Sequence, residues 1–323
     1  MKKLLLILTA AAVVIFTGCK PAETNQNGEK QIRIGVSIPA ASHGWSAGVV
    51  WHAEQMKKKL EAENKNVKVL IAASTDAADQ VNRIENLLVQ NVDALVVMAQ
   101  EPEPLQQVCE RAKKKGKFLV IVSNPLKEPV QDVFVNGDNA GFGSAAAEAM
   151  GKELNGKGNI VLMEGYSSPI NTTRIEAFRK TLAEKYPDIK ILDSRLAYYS
   201  AEKALALMEN YLQKFKDETI DGVWAGDDDA LLGALKACTE SHNKTIKTII
   251  GGGGSSKVVK MIMDKNSLVH TTVTYPPAII KEGIQAAYDG LKDPAKVVAE
   301  RTVPSEIVNI ENAEKYYFPD SNY

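Results

Sequence analysis

Aromatic, amide, charged and hydroxyl-bearing side chains follow many of the apolar segments of this sequence. Those that suit ligand binding are His43, Trp45, Gln100, Asn124, Arg174, Tyr199, Asp227 and Tyr275. Flat rings stack on the apolar C–H face of a sugar, while amide, carboxylate and guanidinium groups bind hydroxyl groups in fixed directions. This mixture therefore favours noncovalent binding of an uncharged, polyhydroxylated small molecule.

The elements that must position these residues alternate in type beyond residue 31. Short β-branched segments such as "IRIGVSI", "FLVIV" and "NIVLME" are separated by longer segments of helical periodicity. In "AADQVNRIENLLVQN", Ile84, Leu87 and Leu88 share one face of an amphipathic helix. Continuous apolar strands that alternate with such helices predict an α/β fold with parallel sheets covered on both faces.

Five strand–helix units precede about residue 137 and five follow it, which predicts two similar doubly wound domains. We expect the chain to cross between them near Gly137, at Tyr275–Pro276 and at Val303–Pro304, as a three-strand hinge. The N-terminal domain would comprise residues 31–137 plus about 276–303, and the C-terminal domain residues 138–275 plus about 304–323. Ligands bind beyond the carboxyl ends of the strands in such sheets, where the eight candidate residues are expected.

The glycine-rich segment "FVNGDNAGFG" marks the first crossing. Gly141, Gly143 and Ala146 have the spacing of a dinucleotide fingerprint, but the segment follows the fifth strand and no suitably placed acidic residue completes the motif. Helix capping by Asp138 or Asn139 explains the segment more simply. The sequence therefore predicts no cofactor, and it predicts no metal.

The N-terminus has the pattern of a secretory signal. A basic start precedes an apolar run from Leu4 to Phe16, which is too short to span a bilayer comfortably. The following "FTGC" resembles a bacterial lipobox, which implies a signal peptide over residues 1–18, lipidation of Cys19 and a polar tether over residues 19–30. An uncleaved anchor or a buried N-terminal helix is the alternative. The first interpretation places the folded part outside the cytoplasm, attached to a membrane.

The charge balance argues against a nucleic-acid-binding protein, and the cysteine content indicates the state of the thiols. The sequence has 39 basic and 40 acidic residues, and this balance gives no reason to expect nucleic-acid binding. Besides Cys19, it contains Cys109 and Cys238, which lie on helix-like segments of different predicted domains. We expect two isolated, buried thiols.

Four segments resemble those of a known family. They are "IGVSIP" in the first strand, "GDN" at Gly137 to Asn139, "RIEAF" from Arg174, and "AGDDDALLGALKA" from Ala225. From residue 31 to about 310 the chain resembles the periplasmic sugar-binding proteins of the ribose-binding type, which are type I solute-binding proteins of ABC transporters. The resemblance implies the same two-domain fold and a sugar-like ligand in the interdomain cleft.

The resemblance also implies roles for individual residues. Trp45 and Tyr199 correspond to the aromatic residues that stack on the sugar from the two domains, and Arg174 to the arginine that binds its oxygens. Asp227 stands where the family usually has asparagine. "SHGW" is then a loop at the lip of the cleft, with His43 as a donor. A partly buried loop aromatic is the alternative for Trp45, and a surface salt bridge for Arg174.

Several positions depart from the family pattern. Ser123 and Asn124 stand where the family often has Asp-Arg, Gly253 replaces an aspartate, and Tyr275 replaces a glutamine. Asp228 and Asp229 are expected to be helix N-terminal charges favoured by the dipole. We therefore expect a ligand other than plain ribose, such as a larger hexose, a deoxy or amino sugar, a polyol or a short glycoside.

The expected function is that of a monomeric, lipid-anchored binding protein. It would capture a sugar or polyol by hinge closure and deliver it to an ABC transporter permease. The alternative is a ligand sensor for a chemoreceptor or sensor kinase, with a sugar or a furanosyl signal molecule as ligand. An enzyme is disfavoured because G-x-S-x-G, H-E-x-x-H and Walker-type phosphate motifs are absent. A DNA-binding repressor is disfavoured because the chain begins with a signal segment.

Overall fold

The computed structural model describes residues 31–41, 44–321 and 323. The signal peptide, Cys19, the polar tether and His43 lie outside the described residues. The strands are β1 (Ile32–Pro39), β2 (Val67–Ser74), β3 (Ala94–Val97), β4 (Phe118–Val122), β5 (Val133–Gly137), β6 (Lys157–Glu164), β7 (Asp188–Leu196), β8 (Gly222–Ala225), β9 (Thr248–Gly253), β10 (Thr272–Thr274), β11 (Glu300–Val303) and β12 (Ile307–Val308).

Helices connect most of these strands. They are α1 (Gly44–Glu63), α2 (Ala77–Val89), α3 (Pro102–Lys114), α4 (Asn139–Glu153), α5 (Pro169–Lys185), α6 (Ala201–Lys214), α7 (Asp228–Glu240), α8 (Ser256–Met263), α9 (Ile279–Lys292) and α10 (Ala313–Tyr316). A short 3₁₀ turn, Pro294–Lys296, follows α9. Within the described ranges, none of the helices has the length and apolarity needed to cross a membrane.

The strands form two six-stranded sheets with the same layout. The spatial order is β2-β1-β3-β4-β5-β11 in the first sheet and β7-β6-β8-β9-β10-β12 in the second. All pairings are parallel except that of β12, which is antiparallel to β10. The first sheet with α1, α2, α3 and α9 is called the first lobe, and the second sheet with the other helices the second lobe. The prediction of two doubly wound α/β domains is confirmed.

The chain passes between the sheets three times. It leaves the first sheet after Gly137, returns after Thr274, and leaves again after Val303. The strands that follow the last two passages, β11 and β12, do not correspond to predicted strands. They are only 4 and 2 residues long, too short to show a strand pattern, so their extended conformation depends on pairing with β5 and β10.

Local sequence explains where the site-bearing helices begin. The Asp138 carboxylate accepts a hydrogen bond from Gly141 N at 2.7 Å, which confirms the capping interpretation of the glycine-rich segment. Ser168 caps α5 by accepting from Asn171 N, and Pro169 fits the first helical position because its missing N–H has no partner to lose. One prediction is wrong: "SHGW" is not wholly loop, because α1 begins at Gly44 and Trp45 lies in its first turn.

Each sheet is covered on both faces by apolar side chains of its helices. In the first lobe, Ile84, Leu87 and Leu88 of α2 are buried as their periodicity predicts. In the second lobe, Phe178 of α5 stacks on Trp224 of β8 with ring centroids 4.1 Å apart and an interplanar angle of 6°. Cys109 and Cys238 are buried free thiols, as expected, and burial raises the pKa of each to about 12.

The Phe178–Trp224 stack provides a test of the second-lobe core. Replacing Phe178 by alanine removes a fully buried ring and leaves a cavity against Trp224, so the free energy of unfolding should fall by about 3–5 kcal/mol. The Val89→Ala change, at a position 81% exposed on α2, should change it by less than about 0.5 kcal/mol. Urea denaturation of both variants measures the difference, and equal midpoints would contradict the packing described.

Candidate ligand-binding site

A buried arginine lies where the two lobes meet. Arg174, on the second turn of α5, is only 8% exposed, which excludes the surface salt bridge considered from the sequence. Its guanidinium carbon lies 4.2 Å from the ring centroid of Phe142 and 4.3 Å from that of Tyr275. Its Nε donates a hydrogen bond to Asn139 Oδ1 at 2.9 Å. Two aromatic faces and one amide therefore fix the position of the cation.

Tyr275 holds together several parts of this region. It follows β10 at the second passage between the sheets, and its ring covers Gly137 at the first passage. A Cβ atom at Gly137 would lie 2.1 Å from the ring, so only glycine permits this packing. The Tyr275 hydroxyl lies 3.2 Å from Ser123 Oγ, which follows β4. Its main-chain oxygen accepts a hydrogen bond from Trp45 Nε1 at 2.8 Å.

Trp45 connects the first turn of α1 to the same region. Its ring centroid lies 5.9 Å from that of Tyr275, with an interplanar angle of 35°. The half-buried indole packs against the apolar cores of both lobes. A loop aromatic would be free to turn, whereas helical backbone, the bond to Tyr275 and contacts in both lobes fix this ring.

Three consecutive aspartates at the start of α7 have three different environments. Asp227 caps the helix and accepts from Asp229 N at 2.8 Å and Ala230 N at 3.4 Å. Asp228 is fully buried and accepts from Ser255 N at 2.6 Å and Thr272 Oγ1 at 2.7 Å, so it connects α7 to α8 and β10. Asp229 accepts from Gly44 N of the first lobe at 3.3 Å.

The predicted role of Asp228 and Asp229 as first-turn charges is confirmed, but each also makes a long-range contact. Burial raises the pKa of Asp227 well above its usual range, and the charges of Asp228 and Asp229 raise it further. The N-termini of α1 and α7 approach each other at the Gly44–Asp229 contact. Both ends carry partial positive charge, so a carboxylate between them is favoured.

Tyr199 lies on the loop that follows β7, near Asp227. Burial raises the pKa of its hydroxyl; the charge of Arg174 lowers it, and those of Asp227 and Tyr275 raise it. The ring centroid of Tyr199 is 5.7 Å from that of Tyr166. Tyr198 and Tyr199 both have left-handed backbone, with φ of 59° and 54°. Two consecutive bulky residues in this region indicate strain of the kind found at binding sites.

Gln100 and Asn124 occupy strand ends of the first sheet, after β3 and β4. Asn124 Nδ2 donates to Ala99 O at 2.8 Å, and Gln100 Nε2 donates to Thr75 O at 3.3 Å. These bonds stay within the first lobe. The other five described candidates are called the interlobe cluster: Arg174, Tyr275, Trp45, Tyr199 and Asp227. The Gln100 Oε1 atom is buried without a hydrogen-bond partner, which leaves it able to accept.

Sequence reasoning did not select Asn139, Phe142, Asp229 and Tyr323. Asn139 and Phe142 belong to the glycine-rich crossing, where capping of α4 is a sufficient reason for Asn139. Asp229 was assigned to the helix dipole alone. Tyr323, the last residue of the sequence, lies in no recognisable motif. Of these, only Phe142 carries a usable signal, an aromatic residue next to a predicted crossing.

The geometry defines a class of protein: two similar α/β lobes, joined by three chain segments, with a polar and aromatic cluster where they meet. A sequence model described as a periplasmic binding protein domain matches residues 34–294. The chain belongs to this family. The resemblance to its ribose-binding type, drawn from the sequence, is also confirmed by the relatives it matches.

Two curated relatives and one solved structure indicate how far the similarity extends. The chain is 33% identical over 252 residues to the xylitol-binding protein of Mycolicibacterium smegmatis, covering 77% of this chain and 69% of the relative. It is 26% identical over 297 residues to the ribose import binding protein RbsB of Bacillus subtilis, covering 90% and 93%. The fructose-binding periplasmic domain of a hybrid two-component system superposes with a TM-score of 0.75 at 23% identity, covering 88% and 93%, and shows the shared fold.

Asp228 should make stability depend on pH in a defined direction. Burial raises its pKa from 3.8 to about 6, so the folded protein binds this proton more tightly than the unfolded chain. Its contribution to the free energy of unfolding therefore falls as the pH rises from about 4 to about 6. Relative to Asp228→Asn, wild type should lose roughly 3 kcal/mol over this interval.

Urea denaturation at about pH 4 and about pH 7 measures this relative change. Asp217→Asn, which alters an exposed carboxylate, is the control and should show no comparable change. A constant difference between wild type and Asp228→Asn across the two pH values would contradict the buried, ionising carboxyl group.

Proposed function

We propose that this protein binds a sugar or polyol between its two lobes and delivers it to the permease of an ABC transporter. The observation that carries the proposal is the buried Arg174, fixed by Phe142, Tyr275 and Asn139 beside two further aromatic residues. An arginine has five N–H donors in a planar fork, and Nε is used by Asn139. The remaining donors suit the oxygens of a polyhydroxylated ligand.

The surrounding residues support an uncharged ligand. Trp45 and Tyr199 supply flat apolar surface for the C–H faces of a sugar, and Asp227 supplies an acceptor for hydroxyl groups. The names of two relatives specify xylitol and ribose, which are both neutral and polyhydroxylated. These relatives are binding proteins, which supports a function without catalysis. Recovery of the unmodified ligand after incubation with the protein would agree with a function in binding and not in catalysis.

Binding would be coupled to closure of the lobes. A ligand shifts this equilibrium only if it interacts more strongly with the closed form, so it must contact both lobes. Trp45 would contact it from the first lobe, and Arg174, Tyr199 and Asp227 from the second. The Gly44–Asp229 bond would form as the lobes close. We place the hinge at Gly137, Tyr275–Pro276 and Val303–Pro304, and the domain bounds as predicted from the sequence.

Arg174 and Trp45 are the residues whose loss should reduce affinity most clearly. Calorimetry with D-ribose, D-xylose, xylitol, D-fructose, D-galactose and D-glucosamine would first identify the best ligand. Arg174→Ala should weaken its binding at least tenfold, or about 1.4 kcal/mol, because the central donor is removed. Trp45→Ala should have an effect of similar size because one stacking surface is lost.

Arg179→Ala provides a matched control, since Arg179 is an exposed arginine on the same helix. It should leave affinity unchanged. Circular dichroism should show that all three variants remain folded. Wild-type affinity in both site variants would show that the ligand binds elsewhere.

We also propose that Cys19 is lipidated after removal of residues 1–18 and holds the protein at the outer face of a membrane. Two acyl chains provide stable attachment, while one gives only marginal binding. In the native host, Cys19→Ala should therefore move the protein from the membrane fraction to the soluble extracytoplasmic fraction. Ser42→Ala is the control and should not alter fractionation. Membrane retention of the Cys19 variant would instead favour the uncleaved N-terminal anchor.

A sensory function is the second candidate, because a solved structure with the same fold is the fructose-binding periplasmic domain of a hybrid two-component system. The two functions differ in the partner that responds to the ligand-bound protein. Uptake of radiolabelled ligand should fall in a strain that lacks the protein if it supplies a permease. Undiminished uptake together with lost ligand-dependent signalling would favour the sensor.

A further inference from the structure

The last residue of the sequence lies between the lobes. Tyr323 is 6% exposed. An added Cβ at Gly48 would lie 2.8 Å from Tyr323 Cβ, and one at Gly44 would lie 3.1 Å from its ring carbon Cδ2. At the other end, a Cβ at Gly253 would lie 1.6 Å from the Tyr323 hydroxyl oxygen. Gly44 and Gly48 belong to α1 of the first lobe and Gly253 ends β9 of the second, so the side chain spans the gap between them.

The hydroxyl group of Tyr323 is buried without a hydrogen-bond partner. Burial raises its pKa well above the usual range; the charges of Asp228, Asp227 and Asp229 raise it further and that of Arg174 lowers it. The hydroxyl therefore stays protonated and lies among the charged groups of the interlobe cluster. A buried donor without a partner costs free energy, which a ligand oxygen at this point would recover.

Gly253 provides the space for this hydroxyl group. Its φ of 117° lies in the left-handed region that favours glycine. A side chain at this position would collide with the Tyr323 hydroxyl oxygen. The polar group at this strand end therefore comes from a residue 70 positions further along the chain.

Phe318 and Tyr323 both contact the second lobe. Ser256 Oγ, at the start of α8, lies 2.8 Å from the main-chain oxygen of Tyr323 and 2.6 Å from that of Phe318. The Phe318 ring packs edge-on to His52 of α1, with centroids 5.8 Å apart. Phe318 and Tyr323 thus contact both α8 and α1.

We propose that Tyr323 is a ligand-binding residue of the interlobe site, whose hydroxyl group donates a hydrogen bond to an oxygen of the bound sugar or polyol. This inference rests on the proposed function. It makes Tyr323 a determinant of specificity, because a ligand without an oxygen near Gly253 would leave the buried hydroxyl unpaired. The ring would also contact α1 only when the lobes are closed.

Tyr323→Phe tests the hydroxyl group while keeping the ring. With the best ligand of the calorimetric panel, this variant should bind roughly tenfold more weakly than wild type. Tyr317→Phe, at the residue before Phe318, is the matched control and should bind normally. Without ligand, the thermal midpoint of Tyr323→Phe should equal or exceed that of wild type, since the change removes an unpaired buried group.

The other outcomes separate this inference from the proposed function. Wild-type affinity in Tyr323→Phe, while Arg174→Ala abolishes binding, would overturn the role of Tyr323 and leave the function intact. Tighter binding after removal of residues 318–323 would show that the segment competes with the ligand, which also overturns the inference. If none of the six compounds binds to the intact protein, the proposed function and this inference both fail.

Discussion

The placement of one buried cation organises the region where the lobes meet. A guanidinium group removed from water is tolerated only when neighbouring groups compensate it. Arg174 obtains this compensation from Phe142, Tyr275 and Asn139, which lie at or next to two of the three passages between the sheets. The groups that compensate this charge therefore lie next to chain segments that connect the two lobes.

The three aspartates of α7 show how geometry separates the roles of identical neighbours. Asp227 precedes the helix in extended backbone and caps it. The helical residues Asp228 and Asp229 point in different directions, so the first joins α7 to α8 and β10 and the second reaches α1. Asp228 is the structural member of the set, since its contacts lie wholly within the second lobe. Asp229 is the member that makes a hydrogen bond to the first lobe, by accepting from Gly44 N.

The sequence was sufficient to predict the α/β class and the two sheets, because β-branched strands and amphipathic helices encode these features locally. It did not predict β11 and β12, whose few residues become strands only through pairing with distant partners. The segment "SHGW" predicts a loop for Trp45, whereas α1 begins at Gly44 and has Trp45 in its first turn. Tyr323 is near Gly253 only in the folded chain, so no local pattern contains that information.

At two strand ends, a small residue lies next to the hydroxyl group of a tyrosine that is distant in the sequence. Ser123, with its left-handed φ of 68°, faces the hydroxyl of Tyr275 at 3.2 Å, and the space at Gly253 contains that of Tyr323. A phenol hydroxyl both donates and accepts without carrying charge, so it matches a ligand hydroxyl in either direction. Charged groups are thereby confined to Arg174 and the aspartates. This pairing of uncharged hydroxyl groups with a ligand favours a neutral compound with many hydroxyl groups.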